Sequence, residues 1–272
     1  MNAEHILARV NESRSLRQFE RLVNFRDIGG LPTMDGRTMR TGLLFRSDEP
    51  FKLTVSDIER FNRLQFKLIC DLRTPNERRP RLARFVDERS TEIVNVPFYQ
   101  NQNDEDSTRL QLFWLMMREA RTVDFYQMMM EFYQKVIFRS TDQIRTIVTL
   151  LADTEDAPSL IHCASGKDRT GMIAALIQLL AGVPRHTVMA DYLLSNALNT
   201  DKTEQLFKFV RRFTLYRITR ERIMPLLEVQ REFLDEALDE LFRRYDSVEN
   251  YLVQACGVNE TTLERFKASL VV

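Results

Sequence analysis

Cys163, Arg169 and Thr170 bring a thiol, a guanidinium and a hydroxyl together within the stretch PSLIHCASGKDRTGMIAALIQLL, residues 158–180. Upstream of Cys163, Leu160 and Ile161 form an apolar run short enough for a buried strand. Downstream, Met172, Ile173, Leu176, Ile177 and Leu180 recur at helical spacing. The three groups therefore stand where a strand gives way to a helix N-terminus. Free backbone N–H groups and the helix dipole attract a dianion such as phosphate there. The same field lowers a thiol from ~8.5 into the ~3.5–7.5 range. A thiolate so placed can attack phosphorus and divide hydrolysis into two easier steps through a phosphoryl-cysteine. The planar fork of Arg169 grips two phosphoryl oxygens at once, which a lysine cannot do. Thr170 is expected to hydrogen-bond the sulfur and ease its departure in the second step. Gly166 permits the tight loop, and His162 is expected to fix it through the backbone. Ala164, Ser165, Gly166 and Lys167 complete the expected phosphate-binding loop.

The decapeptide HCASGKDRTG resembles the phosphate-binding loop of the Cys-x5-Arg protein tyrosine phosphatase superfamily. The Lys167-Asp168 pair, with LVNFRDIGGL (22–31), LLFRSDE (43–49), DLRTPNE (71–77) and DYLLSN (191–196), resembles its bacterial and fungal tyrosine/serine phosphatase branch. Some members of that branch also act on phosphoinositides. The resemblance implies an α/β three-layer domain with a mixed central sheet of about four or five strands, flanked by helices and followed by extra C-terminal helices. It implies hydrolysis of a phosphate monoester through Cys163, with no metal and no cofactor. Phosphotyrosine, phosphoserine/threonine and phosphoinositides are the candidate substrates. Lys167 adds positive charge at the mouth, as similar loops do in phosphatases that take inositol phospholipids. Arg46 is expected either to aid substrate binding or to serve the structure. The rivals are a rhodanese-type sulfur transferase and a catalytically dead phosphate-binding adaptor. Intact Cys, Arg and Thr weigh against the adaptor.

The leaving oxygen needs a proton, and Asp168 ranks first as its source because it sits in the loop itself. Asp71, at the end of an expected strand, ranks second. Many superfamily members carry an aspartate acid on a mobile loop, but here PFYQNQNDEDSTRL has Gln100 in that place, and Asp104 and Asp106 read as solvated. Arg26 and Asp27 are expected to form an internal ion pair that pins the N-terminal segment. Cys70 reads as a core cysteine, the alternative being a redox partner for Cys163.

Lys+Arg and Asp+Glu both number 39, so no global field argues for nucleic acid. Three cysteines make no disulfide framework. The opening residues read as a short helix over 1–19 without the apolar core of a signal peptide. A reducing cytoplasm is the expected compartment, with export by a route lacking a cleaved signal left open. Strands are expected at 42–46, 66–72 and 93–97. Helices are expected from the Thr54 N-cap to 64 and over 107–138, 140–151, 186–197, 226–242, 248–255 and 263–270. One domain spans 1–272. Within it, 199–224 carries Lys202, Lys208, Arg211, Arg212, Arg217, Arg220 and Arg222 among aromatics. It reads as helices with a solvated basic face, or as a lid or a patch for anionic lipid headgroups.

Overall fold

A computed structural model of the chain describes residues 19–78, 90–98, 123–154 and 156–272. The helix expected over 1–19, the loop of Gln100, Asp104 and Asp106, and the helix expected from 107 up to 122 lie outside the described residues. The four expected runs become strands and a fifth, unexpected one precedes them: β1 (Arg26–Asp27), then β2 (Leu44–Ser47), β3 (Leu68–Asp71), β4 (Glu92–Asn95) and β5 (Ser159–His162). They lie in the order β1-β2-β5-β3-β4. β1 is antiparallel to β2, and the other pairings are parallel, so the sheet is mixed as expected.

Side chains alternate across a strand, and here the alternation builds two cores. Leu44, Leu68, Cys70 and Ile161 point into the larger one, which holds most of the buried helix residues. Ile69 and Leu160 point to the other face, where Phe61, Phe66, Leu22 and Phe25 cover them. Helix α1 (Val55–Arg63) closes this second face, opened by a capping box between Thr54 and Asp57. The Asp57 carboxylate also accepts the backbone N–H groups of Glu20 and Arg21, which ties down the start of the described chain. Sheet and two coverings make three layers.

Further helices among the described residues are α2 (Pro75–Arg78), α3 (Phe125–Arg139), α4 (Thr141–Asp153), α5 (Arg169–Leu180), α6 (Arg185–Leu198), α7 (Thr200–Phe213), α8 (Arg220–Leu227), α9 (Arg231–Tyr245) and α10 (Glu260–Ser269), with short helical turns at Pro50–Lys52, Val248–Asn250 and Tyr251–Ala255. Nearly every residue of α5 is buried, the pattern of a helix enclosed on all sides. The expected helix over 226–242 is corrected to two elements. Asn196 on α6 explains the break: its side chain donates to the Val229 carbonyl and accepts the Val229 N–H, both at 2.9 Å. Those two bonds hold Val229 extended between α8 and α9.

Register places the site. His162 pairs with Ser47 on one side and with Asp71 on the other, so β2, β5 and β3 end level. The chain leaves those three strands at Asp48, Cys163 and Leu72. Ligands of open α/β sheets bind beyond such carboxyl ends.

Candidate active site

Six residues, Cys163 to Asp168, join the end of β5 to the first turn of α5. Side chains from distant segments hold the outer face of this loop. The Ala164 carbonyl accepts from Lys202 Nζ at 3.2 Å. Asn24 Nδ2 donates to the carbonyls of Ser165 and Gly166, at 3.4 and 2.7 Å. Arg46 Nη2 donates to those of Gly166 and Lys167, at 2.7 and 3.3 Å. A peptide plane whose carbonyl is held outward turns its N–H to the opposite side. The loop is thereby a cradle of amides, and the start of α5 extends it. Asp168, the N-cap of α5, makes no side-chain cap bond, so the first-turn N–H groups keep their capacity for an anion.

The pinning groups are themselves fixed. Arg26 Nε donates to Asp191 Oδ1 at 2.9 Å, and Arg46 Nη1 lies 3.3 Å from Asp191 Oδ2. Both guanidiniums reach Ser195 Oγ. Asn24 sits in the left-handed region at φ 59° and accepts from Arg26 through its side-chain oxygen. Burial and the Arg26 charge pull Arg46 down to about 9, while Asp191 and the Cys163 sulfur hold it up. Arg46 is thus buried behind the loop and commits Nη2 to the loop carbonyls and Nη1 to Asp191, which makes it a support of the cradle. The expected Arg26–Asp27 pair is corrected. Arg26 pairs with Asp191, and Asp27 instead accepts the N–H groups of Gly29 and Gly42.

Gly166 has φ +66°, and a Cβ there would lie 2.2 Å from the Ser47 carbonyl oxygen. Left-handed strain and a clash with backbone act together. Gly166→Ala is expected to cost more than about 2 kcal/mol of stability. An unchanged denaturation midpoint would show that β2 does not constrain the loop.

Arg169 is oriented by Glu77. Its Nη1 and Nη2 donate to the two Glu77 oxygens at 2.7 Å each, and Nη1 also reaches the Leu72 carbonyl at 3.1 Å. Of the five guanidinium N–H donors, three are spent, which leaves Nε–H and one Nη2–H. Burial alone would lower this guanidinium, but Glu77 and the Cys163 charge hold it above its ordinary value. Glu77 is held in turn by a reciprocal bond with Thr74, which starts α2. Arg169 and Glu77 are 92 positions apart. Glu77 was not among the expected site residues. The Thr74-x-x-Glu77 capping pattern inside DLRTPNE was the signal available for it.

Asp168 lies at the loop's end. Lys167 Nζ approaches its Oδ2 at 2.8 Å, and Tyr133 Oη donates to its Oδ1 at 2.9 Å. Tyr133 in turn contacts Tyr192 Oη at 2.5 Å, deep in the core. Lys167 is therefore buried and paired with Asp168, where an open charge at the mouth was expected. Asp71, the second-ranked acid, is corrected. Its carboxylate accepts from Arg73 N, Nε and Nη2 at 2.9–3.0 Å and is ion-paired with Arg78 Nε at 3.2 Å. Burial would raise it, but His162 and Arg73 outweigh that and keep it below the usual carboxylate range. An anion so held has no proton to give at neutral pH.

His162 Nδ1 lies 3.3 Å from the Cys163 carbonyl oxygen, the backbone contact expected of it. Burial lowers its pKa, against the Asp71 charge. The Thr170 hydroxyl is buried without a hydrogen-bond partner among the described residues, so the expected bond to sulfur is not made in this structure. Cys70 is wholly buried and free, its thiol pushed up to about 12 by burial. It behaves as core.

The family model described as "Tyrosine phosphatase family" matches residues 17–272. A Cupriavidus necator protein, provisionally named a tyrosine-protein phosphatase, is 29% identical over 245 residues, covering 90% of this chain and 85% of its own length. The triple specificity protein phosphatase PtpB of Mycobacterium tuberculosis is 27% identical over 272 residues, covering 91% of this chain and 96% of its own. Among solved structures, TpbA of P. aeruginosa aligns over 66% of this chain and 88% of its own at a TM-score of 0.35 and 16% identity, too low to bear weight.

Proposed function

The chain belongs to the tyrosine phosphatase family and is a phosphoric monoester hydrolase, and on that premise we propose how its residues divide the work. Cys163 attacks phosphorus and forms the phosphoryl-cysteine. The amides of the loop and the two unspent donors of Arg169 hold the equatorial oxygens through the charge-dispersed transition state. Asp168 delivers the proton to the leaving oxygen and then takes one from the attacking water. The unspent Thr170 hydroxyl serves the sulfur that departs in the second step. The observation that carries this reading is the outward pinning of four loop carbonyls around a guanidinium fixed by Glu77.

Lys167 and Tyr133 both hold the Asp168 carboxylate at the end of the loop, where it can meet the leaving oxygen. Asp168→Asn is expected to slow alkyl phosphates about 10²-fold while leaving activated aryl phosphates within a few-fold. Equal loss on both classes would overturn the assignment.

Phosphotyrosine is the first substrate class, with phosphoserine/threonine and phosphoinositides alongside it. A relative named a triple specificity protein phosphatase supports a site open to several phosphoesters. A panel of phosphopeptides and phosphoinositides with wild type and Lys167→Ala tests the range. Three free, buried cysteines fit a reducing cytoplasm. Among the described residues no helix is long and apolar enough to cross a membrane. A single phosphatase domain spanning the chain, with 199–224 as a helical addition beside the loop, is the simplest organisation.

A further inference from the structure

Five of the nine large apolar side chains that stand exposed among the described residues fall between Leu206 and Tyr216. Leu206, Phe209 and Phe213 share one stripe of α7 by their spacing, roughly a quarter-turn from Phe207 and Val210. Phe207 and Val210 pack on Ile218, Ile223 and Leu227. The helix thus carries a second apolar stripe beside the one that its own core uses. Phe209 stacks on Phe213, with ring centroids 5.8 Å apart, within this exposed stripe.

The turn that follows α7 continues the surface at a conformational cost. Leu215 and Tyr216 have φ of 50° and 62°, a left-handed backbone that bulky residues avoid. Both side chains stand about two-thirds exposed, at 68% and 65%. Lys208, Arg211, Arg212 and Arg217 neighbour them in the chain, and no acid occurs from Gln205 to Ile218. The Arg211 guanidinium lies 5.0 Å from the Tyr216 ring centroid.

Apolar and aromatic tips set in a field of cations complement one surface in both respects, a bilayer with anionic headgroups over its hydrocarbon. An acidic protein groove would match the charge and leave the apolar stripe wet. The patch is also coupled to the active site, because Lys202, in the first turn of α7, ties the helix to Asp48 and to the Ala164 carbonyl. Eleven residues at about 1.5 Å each put Phe213 roughly 16 Å along the axis from that tie.

We propose that the exposed face of α7 and the Leu215–Tyr216 turn dock the protein on anionic membrane, and so present the Cys163 loop to phosphoester headgroups. This rests on the phosphoinositide arm of the proposed function. The test is co-sedimentation of the full chain with phosphatidylcholine vesicles, with and without phosphatidylserine. Phosphatidylserine carries no phosphate monoester, so the catalytic loop is not its receptor. Binding is expected only to the anionic vesicles and is expected to fall as salt rises.

Phe209→Ser with Leu215→Ser, and separately Arg211→Glu with Arg212→Glu, are each expected to lower partitioning at least about tenfold. Both pairs should hydrolyse a soluble aryl phosphate at the wild-type rate, which shows that they fold. Absence of binding to phosphatidylserine vesicles, or equal binding by wild type and variants, overturns the proposal. So does light scattering that shows a dimer which the variants dissolve, since the patch would then meet a second copy. Wild type that binds vesicles but leaves aryl phosphate intact would instead refute the catalytic assignment and spare the docking surface.

Discussion

Cys163→Ser is expected to lower kcat on any phosphate monoester about 10⁴-fold or more, while binding of a phosphate-mimicking oxyanion such as tungstate stays within a few-fold. The two halves have different physical origins. Binding depends on loop amides and Arg169, and the groups that shape the loop are Asn24, Arg46 and Lys202, none of which needs the sulfur. Turnover depends on a nucleophile ionised near neutral pH, which a thiol reaches and an aliphatic hydroxyl does not. A serine there would need a general base, and the neighbouring imidazole is unsuited to the task. His162 is fully buried, aims Nδ1 at the Cys163 carbonyl, and has Nε2 3.8 Å from Asp71 Oδ1. The arrangement that activates serine elsewhere is a base facing the hydroxyl, itself oriented by a third group. Calorimetric titration with tungstate beside a steady-state aryl phosphate assay measures both quantities. Substantial activity in the variant would remove the sulfur from the mechanism.

How far the sequence reaches follows from where the chemistry is written. Cys163, Gly166 and Arg169 lie in one continuous stretch, so residue types and spacing suffice to read a strand, an anion loop and a helix start. The central strands were equally legible, because β3 and β5 are short apolar runs buried on both faces, whereas the charged pair of β1 gave no strand signal. The supports of the loop were not legible as supports. Asn24 acts on Gly166 from 142 positions away, and Lys202 on Ala164 from 38. The stretches LVNFRDIGGL, LLFRSDE and DYLLSN could be quoted as similar to a family, but only the fold shows why they occur together. Their Asn24, Arg26, Arg46, Asp191 and Ser195 form one buried network under the loop.

The acid ranking shows a second limit. Asp71 and Asp168 are both aspartates at the mouth of the same sheet, and nothing in the residue type separates them. The separation comes from Arg73, two residues after Asp71, whose guanidinium and backbone N–H neutralise and saturate that carboxylate. Asp168 instead faces one lysine and one phenol at the loop's end. The break at Val229 is of the same kind. A helix-period pattern crosses it, and a single asparagine side chain from α6 overrides the pattern.

Arg169→Lys is expected to lower kcat/KM about 10³-fold and, unlike Cys163→Ser, to weaken tungstate binding by at least tenfold. The reason lies in how the donors are shared. Arg169 spends three N–H groups on Glu77 and the Leu72 carbonyl and still has two adjacent donors for an oxyanion. A lysine ammonium is a point charge without that fork. Held by Glu77 it is withdrawn from the phosphate, and turned to the phosphate it leaves the half-buried Glu77 carboxylate without its cation. Either outcome costs the ground state and the transition state together, so kcat and affinity fall in company. Glu77→Gln separates orientation from grip, since Arg169 keeps its fork but loses the charge and one of the two bonds that fix it. A loss near tenfold is expected there. If Glu77→Gln and Arg169→Lys were equally impaired in both assays, the carboxylate would be the essential group and the guanidinium's hold on the phosphate would be refuted.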